Sequence, residues 1–392
     1  MSEPLNILHI LSGFDPGGWE GRIVRLMNLW GHSARHSLMI GNARKSGACQ
    51  EIDADVDVTV LPDAPALNGR PTYAALSALA RAMRGYDLVL TYNYGAVNAV
   101  MARRLFGRAM RLPPLIHHED GFGADEVGRL SRTRNLYRRL ALPGARALVV
   151  PSCQMATIGI CSWNTAASRV HHIPNGIEVA AYARRPFPDA IPGLDKSNGR
   201  VVVGTVANLR AVKALTRLVR IAAPLREQIQ LVIVGDGPER EAIQAEARRV
   251  GIEVLMPGHL PRPQDYVGLF DIFALTSDAE QFPLPLIEAM AAGLPVLSTD
   301  VGDIASMLSG SNRPYLFAAA DESGLTRGLT ALVADATLRA RLGAANQQRA
   351  MDAFDERGMV QRYAQLYGTA ARSSALVDAA PPPTAHRKTG AL

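Results

Sequence analysis

A chain of 392 residues, 48% of them hydrophobic and 20% charged, carries enough apolar surface for two cores of ordinary size, which excludes a disordered chain and an integral membrane protein. Its net charge of +6 favours contact with an anion, whether a nucleotide diphosphate, an anionic lipid surface or nucleic acid, and the lack of a base-reading motif or an aromatic-rich basic module argues against nucleic acid. The three cysteines, Cys49, Cys153 and Cys161, lack the close pair spacings of a zinc site or a redox dithiol and are expected to be reduced.

Met1 to Leu11 has no basic leader region, and its apolar run from Leu5 is too short to cross a bilayer, so it is expected to be the buried first strand of a cytoplasmic protein. Further strands are expected at Ser37–Ile40, Val56–Leu61, Leu88–Tyr92, Leu115–His118, Ala147–Pro151 and Val170–Ile173. The pattern then restarts at Val201–Val206, Leu231–Gly235, Glu253–Met256, Ile272–Thr276, Pro295–Ser298 and Tyr315–Phe317. Short β-rich runs alternating with longer helical patterns mean βαβ units, so the expected fold class is α/β, two Rossmann-like domains with parallel sheets facing across a cleft. Residues 1–182 form the expected first domain and 200–350 the second, with 183–199, rich in Pro, Gly, Asp and Lys, as the linker. A C-terminal helix over about 351–369 is expected to pack back on the first domain, and the Ala, Pro and Ser-rich segment 371–392 to be disordered.

The most informative stretch is Ser277 to Asp303, SDAEQFPLPLIEAMAAGLPVLSTDVGD. A strand leads into a loop holding Glu280, Pro283 and Pro285 suit the opening turn of a helix, and Gly293 with Pro295 end it. The start of that helix, with its free N–H groups and partial positive charge, is suited to an anion such as a diphosphate. Glu280 before it and Glu288 within it would repel phosphate, so neutral hydroxyls of a sugar and a ribose are the sensible partners for these two carboxylates.

Here the chain closely resembles family 4 of the retaining GT-B glycosyltransferases, whose signature is a Glu, seven residues, a second Glu and then Ala-Met-Ala-x-Gly-x-Pro-Val; Glu280, Glu288 and Ala289 to Val296 match it. The resemblance runs to about Tyr367 and includes Ile7 to Ile10 with Gly17, Gly18 and Glu20, Pro174 to Ile177, Val234 to Pro238 and Thr299 to Gly302. It implies the GT-B fold, with Glu288 on the ribose hydroxyls of the donor nucleotide and Glu280 on the transferred sugar near the reaction centre. Phe282, Leu284 and Ile287, from the same segment, join the donor-binding set. Gln281 and Pro283 stand where glycines are frequent in the family, and Pro283 has no N–H, which leaves Phe282 and Leu284 as backbone donors.

Asn208 to Lys213 follows an apolar strand at the sheet edge where α/β domains bind ligands. The resemblance implies that an Arg and a Lys here clamp the diphosphate and stabilise the leaving group; Lys213 aligns with that Lys, the commonest Arg position falls on Asn208, and Arg210 lies two residues later. The turn Gly235-Asp236-Gly237 lacks the third glycine and the downstream acid of a dinucleotide fingerprint and reads as a tight turn near the nucleotide, while Met256 to His259 is expected to pass by the base. In the first half, Gly13 to Gly18 lets backbone approach a ligand closely, and the resemblance places Gly17 and Gly18 at donor phosphate or acceptor. His118, in His117-His118-Glu119-Asp120-Gly121, is a candidate to touch the substrate.

No Asp-x-Asp triplet follows a strand where it could chelate a metal diphosphate, so no metal and no cofactor are expected, the nucleotide sugar being a substrate. Charge on the leaving diphosphate would be offset by Lys213, Arg210 and the helix before Glu288. Val127 to Arg146, with Arg129, Arg132, Arg134, Arg138, Arg139 and Arg146 among leucines, reads as a basic amphipathic helix that could rest on the inner face of an anionic membrane beside a lipid-linked acceptor. The reading is a metal-independent retaining transfer from a UDP- or GDP-sugar to a glycan or lipid-linked acceptor, in bacterial-type surface or exopolysaccharide or glycolipid assembly. Its alternatives are a nucleotide-sugar epimerase and a catalytically silent nucleotide-binding subunit of polysaccharide assembly.

Overall fold

The computed structural model describes residues 3–62, 65–67, 69–122 and 131–382. Within these the chain folds as two units, one made by the residues up to Asn175 with those from Arg357 onward, the other by Gly176–Glu356.

The first unit holds seven parallel strands, β1 (Leu5–Leu11), β2 (Ala34–Ile40), β3 (Asp57–Val60), β4 (Leu88–Tyr92), β5 (Leu115–His118), β6 (Ala147–Val150) and β7 (Val170–His172), in the order β3-β2-β1-β4-β5-β6-β7. Strands covered on both faces read as unbroken apolar runs, and β4 is buried at every position, whereas the edge strands β3 and β7 expose polar residues. Five helices cover the faces: α1 (Gly18–Trp30), α2 (Tyr73–Ala82), α3 (Val97–Phe106), α4 (Arg132–Ala141) and α5 (Cys153–Cys161). The starts of α2, α4 and α5 are set by Thr72, Ser131 and Ser152, whose side chains accept from the backbone N–H three residues on.

The second unit holds the helices α6 (Val179–Tyr182), α7 (Leu215–Ala222), α8 (Arg240–Val250), α9 (Leu284–Ala291), α10 (Ile304–Met307), α11 (Glu322–Ala334) and α12 (Ala336–Phe354). Its six parallel strands are β8 (Val201–Val206), β9 (Ile229–Val234), β10 (Val254–Gly258), β11 (Ile272–Leu275), β12 (Val296–Thr299) and β13 (Leu316–Phe317), in the order β10-β9-β8-β11-β12-β13. The chain moves outward from β8 through β9 to β10, then returns to place β11 on the other side of β8. That reversal opens a crevice beyond the carboxyl ends of β8 and β11, and these two strands lead into Asn208–Lys213 and into Ser277–Pro283.

Each strand expected from the sequence is present to within a few residues, in an α/β architecture of two parallel sheets. The segment 183–199 is not a free connection: the second unit begins at Gly176, Ile191 is buried in its core, and Lys196 Nζ donates to Leu269 O at 2.7 Å. Its composition reads as a linker because scattered contacts pin it, among them Phe187 N to Asp265 O at 3.0 Å and the packing of Ala190 and Leu194, and these leave no apolar period in the sequence. The C-terminal region forms α13 (Glu356–Ala371) and α14 (Ala375–Ala379). Val360, Tyr363 and Tyr367 of α13 enter the core of the first unit, and Leu376 of α14 is buried there, so the expectation of disorder from residue 371 is corrected as far as 382, because one buried leucine anchors an otherwise Ala-rich stretch. The rest of that expectation, 383–392, lies outside the described residues. No helix among the described residues is long and apolar enough to cross a membrane.

Candidate functional site

The loop after β8 is held by the turn after β9. Leu209 N donates to Asp236 O and Glu239 N to Leu209 O, each at 2.9 Å. The two glycines of Gly235-Asp236-Gly237 have φ of +133° and +155°, and a Cβ at Gly235 would collide with the carbonyl oxygen of Ala207. Glycine is therefore needed here because two backbones touch and because the conformation is closed to L side chains. The result is an exposed Asn208 and Arg210 at the carboxyl edge of the sheet.

Lys213 ends a short 3-10 turn, and Ala214 after it adopts the left-handed conformation at φ +46°. Such a conformation in a non-glycine residue costs about 1 kcal/mol or more and persists where its surroundings over-determine it. Here Thr276 Oγ1 donates to Ala214 O at 3.3 Å and Asp278 N donates to Val212 O at 2.8 Å. The lysine is thus carried to Glu280, whose Oε1 accepts from Lys213 Nζ and from Ser277 Oγ, both at 2.6 Å. Ser277 is itself fixed by Thr299 Oγ1, which donates to its carbonyl at 2.7 Å. A Cβ at Gly302, φ +58°, would collide with the carbonyl oxygen of Glu280, so the Val301-Gly302 turn presses on the same loop from the other side. Glu280 Oε2 has no protein partner among the described residues and is available to accept a hydroxyl.

Helix α9 opens three residues beyond Gln281. Pro283 is its N-cap without a side-chain cap, Pro285 lies in its first turn, and no acid occupies that turn. With two prolines lacking N–H, the donors of this end are Leu284, Leu286 and Ile287, and Leu286 N turns to Pro283 O at 3.1 Å. Glu288 follows in the second turn. Burial pushes its carboxyl up to about 7, against a bond from the Tyr182 hydroxyl that favours the ionised form. Burial and the nearby Glu288 raise the Tyr182 and Tyr266 hydroxyls well above the ordinary tyrosine range, so both stay neutral and serve as hydrogen-bond donors.

The expected donor residues separate by what they can offer. Lys213 and Glu280 are in contact; Asn208, Arg210 and Gly237 line the adjoining loops. Phe282 and Leu284 are half-buried, Phe282 lying edge-on against Phe354 at 5.7 Å between centroids. Met256, in β10, is half-buried and its carbonyl accepts from Arg240 at 2.8 Å. The side chain of Ile287 is fully buried in the core, so its backbone is the part that could meet a ligand; a short helix that is apolar all round does not reveal which residue faces inward. Ser277, Tyr182, Tyr266 and Gly302 were not singled out; Gly302 alone carried a signal, as the last residue of the Thr299–Gly302 run.

In the first unit the geometry is that of a packed interior. His118 is fully buried, its Nδ1 at 3.2 Å from Thr91 O and its Nε2 at 2.7 Å from Tyr367 Oη, with burial and Arg22 holding its pKa well below the ordinary histidine value. It is a neutral core histidine with both ring nitrogens partnered, so contact with a substrate would require one of these bonds to open. A Cβ at Gly17 would strike the Glu20 carboxylate, which folds over the start of α1 and is pushed up to about 7 by burial and by Asp120. Gly17 therefore makes room for the half-buried Glu20 carboxylate at the place expected to receive phosphate. Asp120 takes Arg22 in two bonds of 2.6 and 3.0 Å, and Arg22 also donates to Asn175 Oδ1 at 2.8 Å.

The arginines of α4 also divide. Arg138 is buried against Glu119 at 2.7 Å and Arg134 lies over the Tyr94 ring at 5.0 Å, while Arg132 and Arg139 are exposed beside Leu136 and Leu140. Arg129 and the remainder of 127–130 lie outside the described residues.

Two family models match the chain: the glycosyl transferase 4-like domain over residues 7–176 and glycosyl transferases group 1 over residues 187–349. Among similar proteins, the putative glycosyltransferase EpsF of Bacillus subtilis is 34% identical over 174 residues, 42% of this chain and 45% of that one. N-acetyl-alpha-D-glucosaminyl L-malate synthase of Bacillus anthracis is 26% identical over 202 residues, 50% of this chain and 53% of that one. The chain thus spans about half the length of the curated relatives it matches. Among solved structures, Anabaena HepE in complex with UDP superposes with a TM-score of 0.76 at 21% identity, covering 93% of this chain and 100% of that one, and the same protein has been solved with UDP-glucose. At that identity the likeness establishes the fold.

Proposed function

Since the chain belongs to the family 4 glycosyltransferases of the GT-B fold, we propose that it is a metal-independent retaining enzyme that moves a sugar from a UDP- or GDP-sugar to a glycan or lipid-linked acceptor in surface or exopolysaccharide assembly. One observation carries the reading: Lys213 Nζ meets Glu280 at 2.6 Å just ahead of a helix whose start is left uncapped. Cation and helix end together offset the charge of a departing diphosphate, electrostatic stabilisation that is worth most where charge develops. Glu280 Oε2 accepts a hydroxyl of the transferred sugar, and Glu288, ionised when the donor is bound, accepts the ribose hydroxyls.

In the proposed reaction the bond between the anomeric carbon and the phosphate oxygen breaks and its electron pair leaves with the diphosphate. The acceptor oxygen bonds to the same face of the sugar, and its proton passes to a phosphate oxygen. The donor assignment is supported by a nearby solved fold that holds UDP and UDP-glucose. A lipid-linked acceptor is supported by Leu136 and Leu140, 58% and 47% exposed, flanked by the exposed Arg132 and Arg139 on α4, a surface that suits an anionic headgroup region.

The assay is incubation with UDP- and GDP-sugars and a membrane extract, in EDTA, following nucleotide release and the partition of the labelled sugar. Release of nucleoside diphosphate that requires the extract, with label of retained anomeric configuration in the organic phase, is the expected result. An altered donor sugar without nucleotide release would identify an epimerase. Nucleotide binding without either would identify a silent subunit, label confined to water-soluble glycan would refute the lipid acceptor, and activity abolished by EDTA and restored by Mg2+ would refute metal independence.

A further inference from the structure

A pocket of about 660 Å3 opens in the first unit at the edge of the sheet where β5, β6 and β7 begin. Ligands of doubly wound folds ordinarily bind at the opposite, carboxyl edge. The walls of this pocket hold Arg103, Arg146, Arg169 and His171 and no carboxylate, and none of the four forms an ion pair among the described residues. Arg103 Nε donates to Pro113 O at 2.7 Å, and Arg169 Nη2 donates to Pro143 O at 3.2 Å and to Ala145 O.

Each guanidinium has five N–H donors in one plane, so these backbone bonds fix the two planes and leave donors over. Arg146 is exposed, anchored by its backbone N–H to Leu115 O at 2.7 Å, and is free to follow a ligand. Burial lowers the pKa of Arg103 and of His171, as expected of cationic groups drawn from water with no anion to meet them. Leu366 and Ala370 of α13 add an apolar wall, and the volume lies within the range of about 300–1,000 Å3 typical of small-molecule sites, more than inorganic phosphate alone requires.

We propose that this pocket is a second anion site, apart from the donor site, which binds a phosphate dianion carried on a small organic or lipid group. Arg103 and Arg169 form the rigid part, Arg146 closes over the ligand, and His171 gains a proton as the anion enters. Two sources share this chemistry, a soluble phosphorylated metabolite and a phosphomonoester lipid headgroup.

The test uses the full chain saturated with UDP, so that the donor site is filled. Glycerol 3-phosphate and inorganic pyrophosphate are titrated in by calorimetry, with the His171 imidazole followed by NMR, and vesicles of phosphatidylcholine with and without phosphatidate are floated separately. The expected result is saturable binding of a soluble phosphate, or flotation that requires phosphatidate, with the His171 pKa raised by the ligand. Affinity is expected to fall at least about tenfold in Arg146→Gln/His171→Gln, as for the loss of a charge-assisted contact, while Arg84→Gln, another exposed arginine, leaves it unchanged. Unaltered UDP affinity in the double variant establishes that the fold is intact. Binding of none of the three probes, or binding equal in wild type and double variant, overturns the proposal without touching the glycosyl-transfer reading.

Discussion

Glu280→Gln is expected to lower kcat by about 10²–10³-fold with a much smaller change in donor KM, and Lys213→Ala to do the same, the range seen when one preorganised electrostatic group is removed from a transition state. The two groups act as one. Lys213 Nζ and Ser277 Oγ converge on the same carboxylate oxygen at 2.6 Å, so on the proposed reading the lysine would both offset the diphosphate charge and fix the carboxylate that is to face the sugar. Removing the lysine leaves Glu280, 8% exposed, without its counter-charge; removing the carboxylate lets the lysine swing. Interacting residues show strongly non-additive losses, so the double variant should be little worse than either single one. Steady-state kinetics of the three variants check this, and full additivity, or wild-type kcat in Glu280→Gln, would place these groups outside the reaction.

The second large effect belongs to Glu288. Its carboxyl is pushed up to about 7 in the ligand-free fold by burial, while the hydroxyls facing it, Tyr182 and Tyr266, are raised and stay neutral. Ribose hydroxyls donate only to the ionised form at full strength, so donor affinity should be constant above about pH 7 and fall by up to tenfold per unit below it. An intact nucleotide sugar serves as the probe because its pyrophosphate, esterified at both ends, does not titrate in this window. Glu288→Gln should abolish the pH dependence and weaken binding by about 10- to 150-fold, the equivalent of the roughly 1.5–3 kcal/mol of a hydrogen bond to a charged group.

Folding stability should move the opposite way. A carboxyl whose folded pKa lies above its unfolded value of 4.5 favours the fold when protonated, so the stability it contributes is present below pH 4.5 and is lost as pH rises towards 7. Wild type should therefore lose thermal stability relative to Glu288→Gln across that window while gaining affinity. A donor affinity that is flat from pH 5.5 to 8 would contradict the assignment.

How much of this was legible in the residues themselves depends on the range of the interaction. Strands such as Leu88–Tyr92 and Val201–Val206 declare themselves through continuous apolar runs, and the stop of α9 is written in Gly293 and Pro295, because both are local effects. The loops carrying Lys213 and Glu280 could be placed at strand ends, yet their contact depends on a sheet that sets β8 beside β11, 67 residues apart along the chain for this pair. Tyr182 was beyond reach for the same reason: it precedes a segment with the composition of a linker, and only the packing of Ile191 and α6 on the second unit brings it to Glu288. His118 and Gly17 are ambiguous in a different way. A histidine at a strand end and glycines before a helix are equally what a buried hydrogen-bond network and an internal carboxylate require, and single-residue identity does not distinguish these from a ligand site.

The measurement that bears most directly on the account is a crystal structure with intact UDP- or GDP-sugar bound. The diphosphate is expected at the opening turn of α9 within hydrogen-bond distance of Lys213 Nζ, with the ribose on Glu288 and the hexose on Glu280. A nucleotide sugar seated away from that turn, with both glutamates turned from it, would contradict it.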